Sequence, residues 1–162
     1  MGASEALVHK YFGTKADLYL EIVSDAMATL LQRQVEADAA LGPGATAFQR
    51  VARSIEIYLD FITSAPEGWA APLRNPHDGF PLAAELRAQS RVRYVERLRT
   101  VLDQQASEPR DHALHGYLGF LDAACLAWVN AGCVTGQRPA VVAMSLGALE
   151  GALEAVEALD RP

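Results

Sequence analysis

The sequence predicts an all-α fold, and three observations support this prediction. Hydrophobic residues make up 51% and charged residues 21% of the 162 residues, which is typical of a globular chain with a sizeable core. Alanine and leucine are abundant, runs of β-branched residues are short, and no Asn-Gly hairpin signal occurs. Apolar residues recur every three or four positions in several long segments that end near glycine or proline.

Glycine- and proline-containing stretches divide the chain into six predicted helices. Leu-Gly-Pro-Gly at 41–44 stops the first long helix, and the breaker-rich stretch 74–81 precedes the third long one. Ser-Glu-Pro-Arg at 107–110 ends that third helix, and 132–139 forms the last turn. The predicted helices cover residues 15–40, 48–64, 67–73, 82–105, 111–131 and 140–159.

One face of the third long helix is unusually polar. Acidic residues alternate there with five arginines, Arg87, Arg91, Arg93, Arg97 and Arg99. Several of these charges lie three or four positions apart, where side chains of one helix can pair. The pattern predicts a solvent-exposed surface of ion pairs within this helix.

Charge and cysteine content restrict the functional classes. The net charge is −6, which argues against strong DNA binding by this chain alone, because phosphate neutralisation supplies most nucleic-acid affinity. Cys125 and Cys133 lie eight positions apart, which corresponds to about 12 Å along a helix axis and is too far for a disulfide within one helix. We identify no signal peptide and no apolar run near the ~20 residues of a membrane span. We therefore expect a cytoplasmic protein without a membrane partner.

The last two long helices carry small and apolar residues over a wide arc. Such faces allow close helix approach, and a terminal helix normally keeps a solvent face. We therefore expect a homodimer interface through 111–131 and 140–159, a four-helix bundle about a two-fold axis. The alternative is an internal core pair. The small residues are Ala123, Ala124, Ala127 and Ala131 on one helix, and Ala143, Gly147, Ala148 and Gly151 on the other.

The N-terminal segment predicts a short helix, a tight turn and a second helix start. Ser4 is placed to cap the first helix, Gly13 follows its last apolar residue, and Thr14 is placed to cap the next helix, which begins at Lys15. The run from Gly2 to Lys15 resembles the recognition helix of TetR-type transcriptional regulators, in which a Gly-x-Ser, a Tyr-x-x-Phe and a Lys stand at these spacings. In this chain, His9 stands where the family usually has Tyr.

The resemblance implies a division of the chain and a set of DNA contacts. Residues 1–23 would be part of a helix-turn-helix DNA-binding domain, and 24–162 a helical domain that binds a small effector and dimerises. In this reading, helix 82–105 lines the effector pocket. The residues that the resemblance places near operator DNA are Ser4, Glu5, Ala6, His9, Lys10, Tyr11 and Lys15.

The family's first two helices have no counterpart in the sequence given. A helix-turn-helix needs its first helix to hold the recognition helix in the groove. We therefore expect this chain to keep effector binding and dimerisation, and operator binding to belong to a full-length form only. The alternative is a stand-alone helical dimer that binds a small molecule or a protein partner without DNA.

An effector pocket can be assembled from aromatic and aliphatic residues of four predicted helices. Pockets between bundle helices are usually apolar with a few orienting polar groups, so we expect an apolar or amphipathic effector. Each residue is also compatible with an ordinary core position. The candidate residues are Tyr58, Phe61, Ile62, Trp69, Arg91, Tyr94, Leu98, Leu118 and Phe120, with Arg74, Asn75 and His112 as further orienting groups.

Other chemistry is poorly supported by the sequence. Glu108, Asp111, His112 and His115 share a spacing that a metal would accept, but acidic residues at a helix N-terminus are expected for dipole reasons alone. We predict no metal site and no cofactor. No Gly-rich phosphate loop, nucleophile elbow or Cys–His spacing typical of a nucleophilic enzyme occurs, so we do not expect an enzyme.

Overall fold

A computed structural model describes residues 15–74 and 81–159. These residues form helices and no strand, which confirms the all-α class. Residues 1–14, which include the predicted cap, turn and recognition helix, lie outside the described residues, as do residues 75–80 of the predicted loop. The helices in chain order are α1 Lys15–Ala40, α2 Ala47–Ser64, α3 Pro66–Arg74, α4 Pro81–Leu102, α5 Glu108–Asn130 and α6 Arg138–Leu159, with a 3-10 turn at Thr135–Gln137 before α6.

Local side-chain chemistry sets where α2 and α5 begin. Thr46 accepts the backbone N–H of Gln49 at 3.2 Å, and the Gln49 side chain accepts the N–H of Thr46 at 2.8 Å, which forms a capping box. Ser107 caps α5 by accepting the N–H of Arg110. Pro109 follows in the first turn, where its missing N–H costs nothing.

Two predicted helix boundaries, the end of α4 and the start of α5, were wrong. The helix predicted to reach residue 105 ends at Leu102, because Asp103 adopts a left-handed conformation with φ of 51°. The N–H of Gln104 then donates to the carbonyl of Arg99 and closes the helix end. The next helix begins at Glu108 rather than at residue 111, because Pro109 starts the helix instead of interrupting it.

Helix α2 lies at the centre of the bundle and packs against α1, α3, α4 and α6. Helices α5 and α6 form the most extensive pair, and α4 packs on both α1 and α5. The apolar positions of α2 recur with helical spacing and face a common core. The fully buried residues of this core come from α2, α4, α5 and α6 and include Leu59, Ile62, Val95, Leu114, Cys125 and Leu149.

The arginines of α4 do not form the solvent-exposed surface that the sequence predicted. Arg91, Arg97 and Arg99 instead reach neighbouring helices, where they donate to Asp122, to the main-chain carbonyl of Gln34 and to Asp111 respectively. Sequence spacing alone gave pairs within the helix, whereas the packing of α4 between α1 and α5 offers acceptors on both sides. Three of the five arginines therefore join helices together.

The expectation that no apolar run approaches membrane-spanning length also needs correction. Among the described residues, the segment Thr135–Leu159 is long and apolar enough to cross a membrane by length and composition, with a mean hydropathy of 1.4 in its most apolar window. Only 28% of that window is buried. One such helix is weak evidence for a span, since helices packed within proteins pass the same test.

Candidate ligand-binding cavity

A cavity of about 660 Å³ lies between α1, α2, α3, α4 and α5. This volume is within the range of sites that hold drug-sized ligands. The lining is mainly apolar, because each of these helices turns aliphatic or aromatic side chains towards the centre. The apolar lining includes Ile22, Met27 and Leu30 of α1, Val51, Ile55 and Phe61 of α2, Pro72 and Leu73 of α3, Leu98 of α4, and Leu118 and Leu121 of α5.

Seven of the nine residues that the sequence suggested for the pocket line this cavity. They are Tyr58, Phe61, Trp69, Arg91, Tyr94, Leu98 and Leu118. The other two do not. Ile62 is fully buried in the core on another side of α2, and Phe120 points outwards with 41% of its surface exposed. In both cases the correct helix was chosen, but helical spacing alone did not identify the face that turns to the cavity.

The additional orienting groups lie elsewhere. Arg74 donates to Asn130 at 2.7 Å and to Glu67 at 2.6 Å, outside the cavity lining. His112 is exposed on α5, and Asn75 is outside the described residues. Asp111, one of the residues weighed for a metal, accepts two hydrogen bonds from Arg99. Among residues 15–74 and 81–159 no group of three or more His, Cys, Asp or Glu side chains is arranged to hold a metal.

A chain of hydrogen bonds runs along one wall of the cavity and joins four helices. The indole N–H of Trp69 on α3 donates to the Tyr58 hydroxyl on α2 at 2.9 Å, and the two rings meet edge to face. The Tyr58 hydroxyl in turn donates to Oδ1 of Asp122 on α5 at 3.3 Å. Arg91 on α4 donates from Nη2 to the other carboxylate oxygen. This network fixes the wall, because each member holds the next in orientation.

The cavity environment shifts the titration of these groups. Burial raises the pKa of Asp122, and the nearby Arg91 guanidinium and the Tyr58 hydroxyl offset part of that rise. Burial, together with the charge of Asp122, raises the pKa of Tyr58 well above its ordinary value. Tyr58 therefore remains a hydrogen-bond donor at neutral pH, as its bond to Asp122 requires.

Two buried polar atoms of the lining have no hydrogen-bond partner among the described residues. They are Oε1 of Gln34 on α1 and the hydroxyl of Tyr94 on α4. Buried polar groups are nearly always paired, because an unpaired one loses the free energy of its hydration. The rest of the Gln34 side chain is well held, since Nε2 donates to the carbonyl of Ser54 at 3.0 Å. These two atoms therefore give the lining hydrogen-bonding capacity that the described residues do not use.

Sequence reasoning missed the contribution of α1 and two polar groups, Gln34 and Asp122. A signal for Gln34 was present, because it follows Met27 and Leu30 on the same helical stripe and so is a polar residue within an apolar face. Asp122 lies between apolar residues of α5 in the same way. Ile22 and Val23, which the resemblance grouped with the DNA-binding domain, also line the cavity, and α1 continues without a break through position 23.

Six of the seven predicted DNA-contacting residues lie outside the described part of the chain. Ser4, Glu5, Ala6, His9, Lys10 and Tyr11 all precede residue 15, and Lys15 is the first residue of α1, with its side chain outside the described set.

Comparisons with family models, curated proteins and solved structures gave no match to this chain. The functional interpretation therefore depends on the sequence pattern and on the geometry of the cavity.

Proposed function

We propose that this chain contains the effector-binding and dimerising domain of a TetR-like, ligand-responsive transcriptional repressor. The observation that carries the proposal is the cavity of about 660 Å³ between helices α1 to α5. It has an apolar lining, a few fixed polar groups and seven of the nine residues expected for an effector pocket. Small-molecule sites usually combine these features.

The position of α1 supports a mechanical coupling between ligand binding in the cavity and the orientation of the N-terminal segment. Near its C-terminal end, Asp38 pairs with Arg50 of α2 at 2.7 Å and with Arg97 of α4 at 3.6 Å. Towards its N-terminal end, Ile22 and Val23 line the cavity. A ligand that contacts these residues changes the preferred position of the N-terminal end of α1 relative to its C-terminal end, which Asp38 anchors. The segment that resembles a recognition helix directly precedes α1, so ligand binding shifts the population of DNA-competent orientations.

Exposed apolar residues and glycines on the outer faces of α5 and α6 support the proposed homodimer. Met144 and Phe120 are 53% and 41% exposed, although both are large and apolar. Gly147 and Gly151 are exposed on α6, and a Cβ at either would meet nothing within 4 Å, so packing among the described residues does not require glycine at these positions. A second copy seated on this surface covers the apolar residues and uses the glycines for close helix approach.

The net charge supports a second candidate function. At −6, the chain would repel phosphate at long range. A stand-alone helical dimer that binds a small molecule or protein partner and no DNA accounts for the same cavity. The two functions differ in one measurable respect. With the complete DNA-binding domain present, the repressor binds a specific sequence and releases it on adding ligand, whereas the stand-alone dimer binds none.

The ligand-binding part of both functions is tested with N-phenyl-1-naphthylamine, a neutral probe whose fluorescence rises in apolar surroundings. Saturable binding should increase the probe fluorescence and raise the melting temperature, because a ligand that binds only the folded state stabilises it by about 2.7 kcal/mol at one hundred times its Kd. A linear, non-saturating signal with no change in melting temperature contradicts the proposal.

A further inference from the structure

We propose that the cavity recognises uncharged, largely apolar molecules that present a hydroxyl group to Gln34 and Tyr94. This inference rests on the proposed ligand-binding function and specifies the chemistry of its ligand. The two residues belong to α1 and α4, and both line the cavity.

The orientation of the Gln34 amide defines what the ligand must supply. Nε2 donates to the carbonyl oxygen of Ser54 at 3.0 Å, and that oxygen can only accept, so the amide nitrogen must lie on this side. Oε1 is therefore left as the free end. The residue is only 5% exposed, and Oε1 has no donor among the described residues. The cavity thus offers a buried acceptor that requires a donor from the ligand.

Tyr94 supplies a second group from the neighbouring helix. Its hydroxyl is buried and has no hydrogen-bond partner in the described part of the chain. Burial raises its pKa to about 12, so it remains protonated and can donate at neutral pH. Arg97, one turn after Tyr94, donates to the main-chain carbonyl of Gln34 at 3.3 Å, which places Gln34 beside this part of α4. A ligand hydroxyl can donate to Gln34 and accept from Tyr94.

The charges of the lining favour an uncharged ligand. Arg91 and Asp122 pair with each other, and the remaining charged residue of the lining is Arg87, which is partly exposed. Among the described residues the lining therefore has a net charge of +1, from two arginines and one aspartate, and a cationic ligand is repelled. A carboxylate is attracted to Arg87, but it has no proton to donate and would leave Gln34 Oε1 buried and unpaired.

A matched ligand series tests this chemistry: biphenyl, 4-hydroxybiphenyl and biphenyl-4-carboxylate. Their affinities are measured by calorimetry for the full chain and for the variants Gln34→Met and Tyr94→Phe. Gln32→Met serves as a control, because Gln32 lies on the same helix, is exposed and bonds to Glu36 outside the cavity. Melting temperatures establish that each variant is folded.

We expect 4-hydroxybiphenyl to bind at least about tenfold more tightly than biphenyl, the effect of about one well-placed hydrogen bond. Gln34→Met and Tyr94→Phe should each weaken 4-hydroxybiphenyl binding about tenfold and leave biphenyl binding unchanged or stronger, since they remove an unpaired polar atom. Gln32→Met should change neither affinity.

Three results overturn the inference in distinguishable ways. Equal binding of biphenyl and 4-hydroxybiphenyl, unaffected by the two variants, leaves an apolar ligand site without hydroxyl recognition. Tightest binding of the carboxylate, weakened by Arg87→Met, assigns the cavity to anionic ligands. Binding of none of the three compounds, together with no binding of N-phenyl-1-naphthylamine, contradicts the proposed ligand-binding function itself.

Discussion

Arg91 on α4 donates from Nη2 to Oδ2 of Asp122 on α5, and this bond holds two helices together beside the cavity. The other oxygen of the same carboxylate accepts the hydroxyl of Tyr58 from α2. One acidic side chain therefore links three walls of the cavity. Apolar packing favours a compact bundle but is non-directional, whereas these directed bonds fix the relative positions of particular turns.

Tyr58→Phe tests the hydrogen-bond network. The substitution keeps the ring contact with Trp69 but removes the hydroxyl that accepts from the indole and donates to Asp122. We expect the free energy of unfolding to fall by about 1–2 kcal/mol, because two hydrogen bonds are lost and their partners are left unpaired. Urea denaturation measures this loss. If the same loss occurs in a Trp69→Phe background as in wild type, the two residues are not coupled and the network has no cooperative role.

Ile62→Val tests the placement of Ile62 in the core rather than in the cavity lining. Ile62 is fully buried among apolar residues, so loss of one methylene should lower the free energy of unfolding by about 0.5–1.5 kcal/mol. The affinity for N-phenyl-1-naphthylamine should stay the same within experimental error. A several-fold change in probe affinity, with little change in stability, would show that Ile62 lines the cavity instead of packing in the core.

Stability should decrease at alkaline pH because of Tyr94. Burial raises the pKa of its hydroxyl from 10.0 to about 12 in the folded protein. Between pH 10 and 12 the unfolded chain therefore loses this proton while the folded chain retains it, and the stability that is fully present below pH 10 falls as the pH rises. The expected slope is at most about 1.4 kcal/mol per pH unit from this group.

Tyr94→Phe isolates this contribution from the other groups that titrate in the same range. Tyr58 and Cys125 also have pKa values raised by burial, so the wild-type curve includes their effects. Urea midpoints at pH 8, 10 and 11 should decline less steeply in Tyr94→Phe than in wild type. Identical slopes for the two proteins would mean that the Tyr94 hydroxyl titrates alike in the folded and unfolded states.

Met144→Asp tests the proposed homodimer. Met144 is 53% exposed on α6, and a carboxylate there would be buried without a partner in a dimer interface. Light scattering should show the wild type as a dimer and Met144→Asp as a monomer. Val92→Asp is the matched control, because Val92 is 52% exposed on α4 and the substitution makes the same change in charge. Dissociation by Val92→Asp and not by Met144→Asp would place the interface on α4 instead.

The sequence was sufficient for the fold class and for most helix boundaries, because these depend on local signals. The span of α1 from Lys15 to Ala40 matches the predicted 15–40, since Gly42, with φ of 73°, stands two positions after its last residue. The end of α4 could not be read from propensity, because it depends on Asp103 adopting a left-handed conformation that glycine more often adopts.

The cavity was only partly predictable, for a physical reason. Aromatic residues such as Tyr58 and Trp69 were identified from their type and helix, but the side of each helix that faces the cavity depends on how the helices rotate against one another. Phe120 and Ile62 therefore were assigned to the pocket and lie outside it. Asp122 was missed because its importance comes from Arg91 and Tyr58, which are distant in sequence.

Filling the cavity is the most direct test of the central claim that it binds a small molecule. Ala26 of α1 lines the cavity, whereas Ala28, on the same helix, is exposed and does not. Ala26→Leu should occupy space that a ligand needs while keeping or raising the melting temperature, since it buries apolar surface in an existing void. We predict that fluorescence titration with N-phenyl-1-naphthylamine shows saturable binding to wild type and to Ala28→Leu, and at least about tenfold weaker binding to Ala26→Leu, a change of about 1.4 kcal/mol. Equal probe affinity for all three proteins would contradict the account.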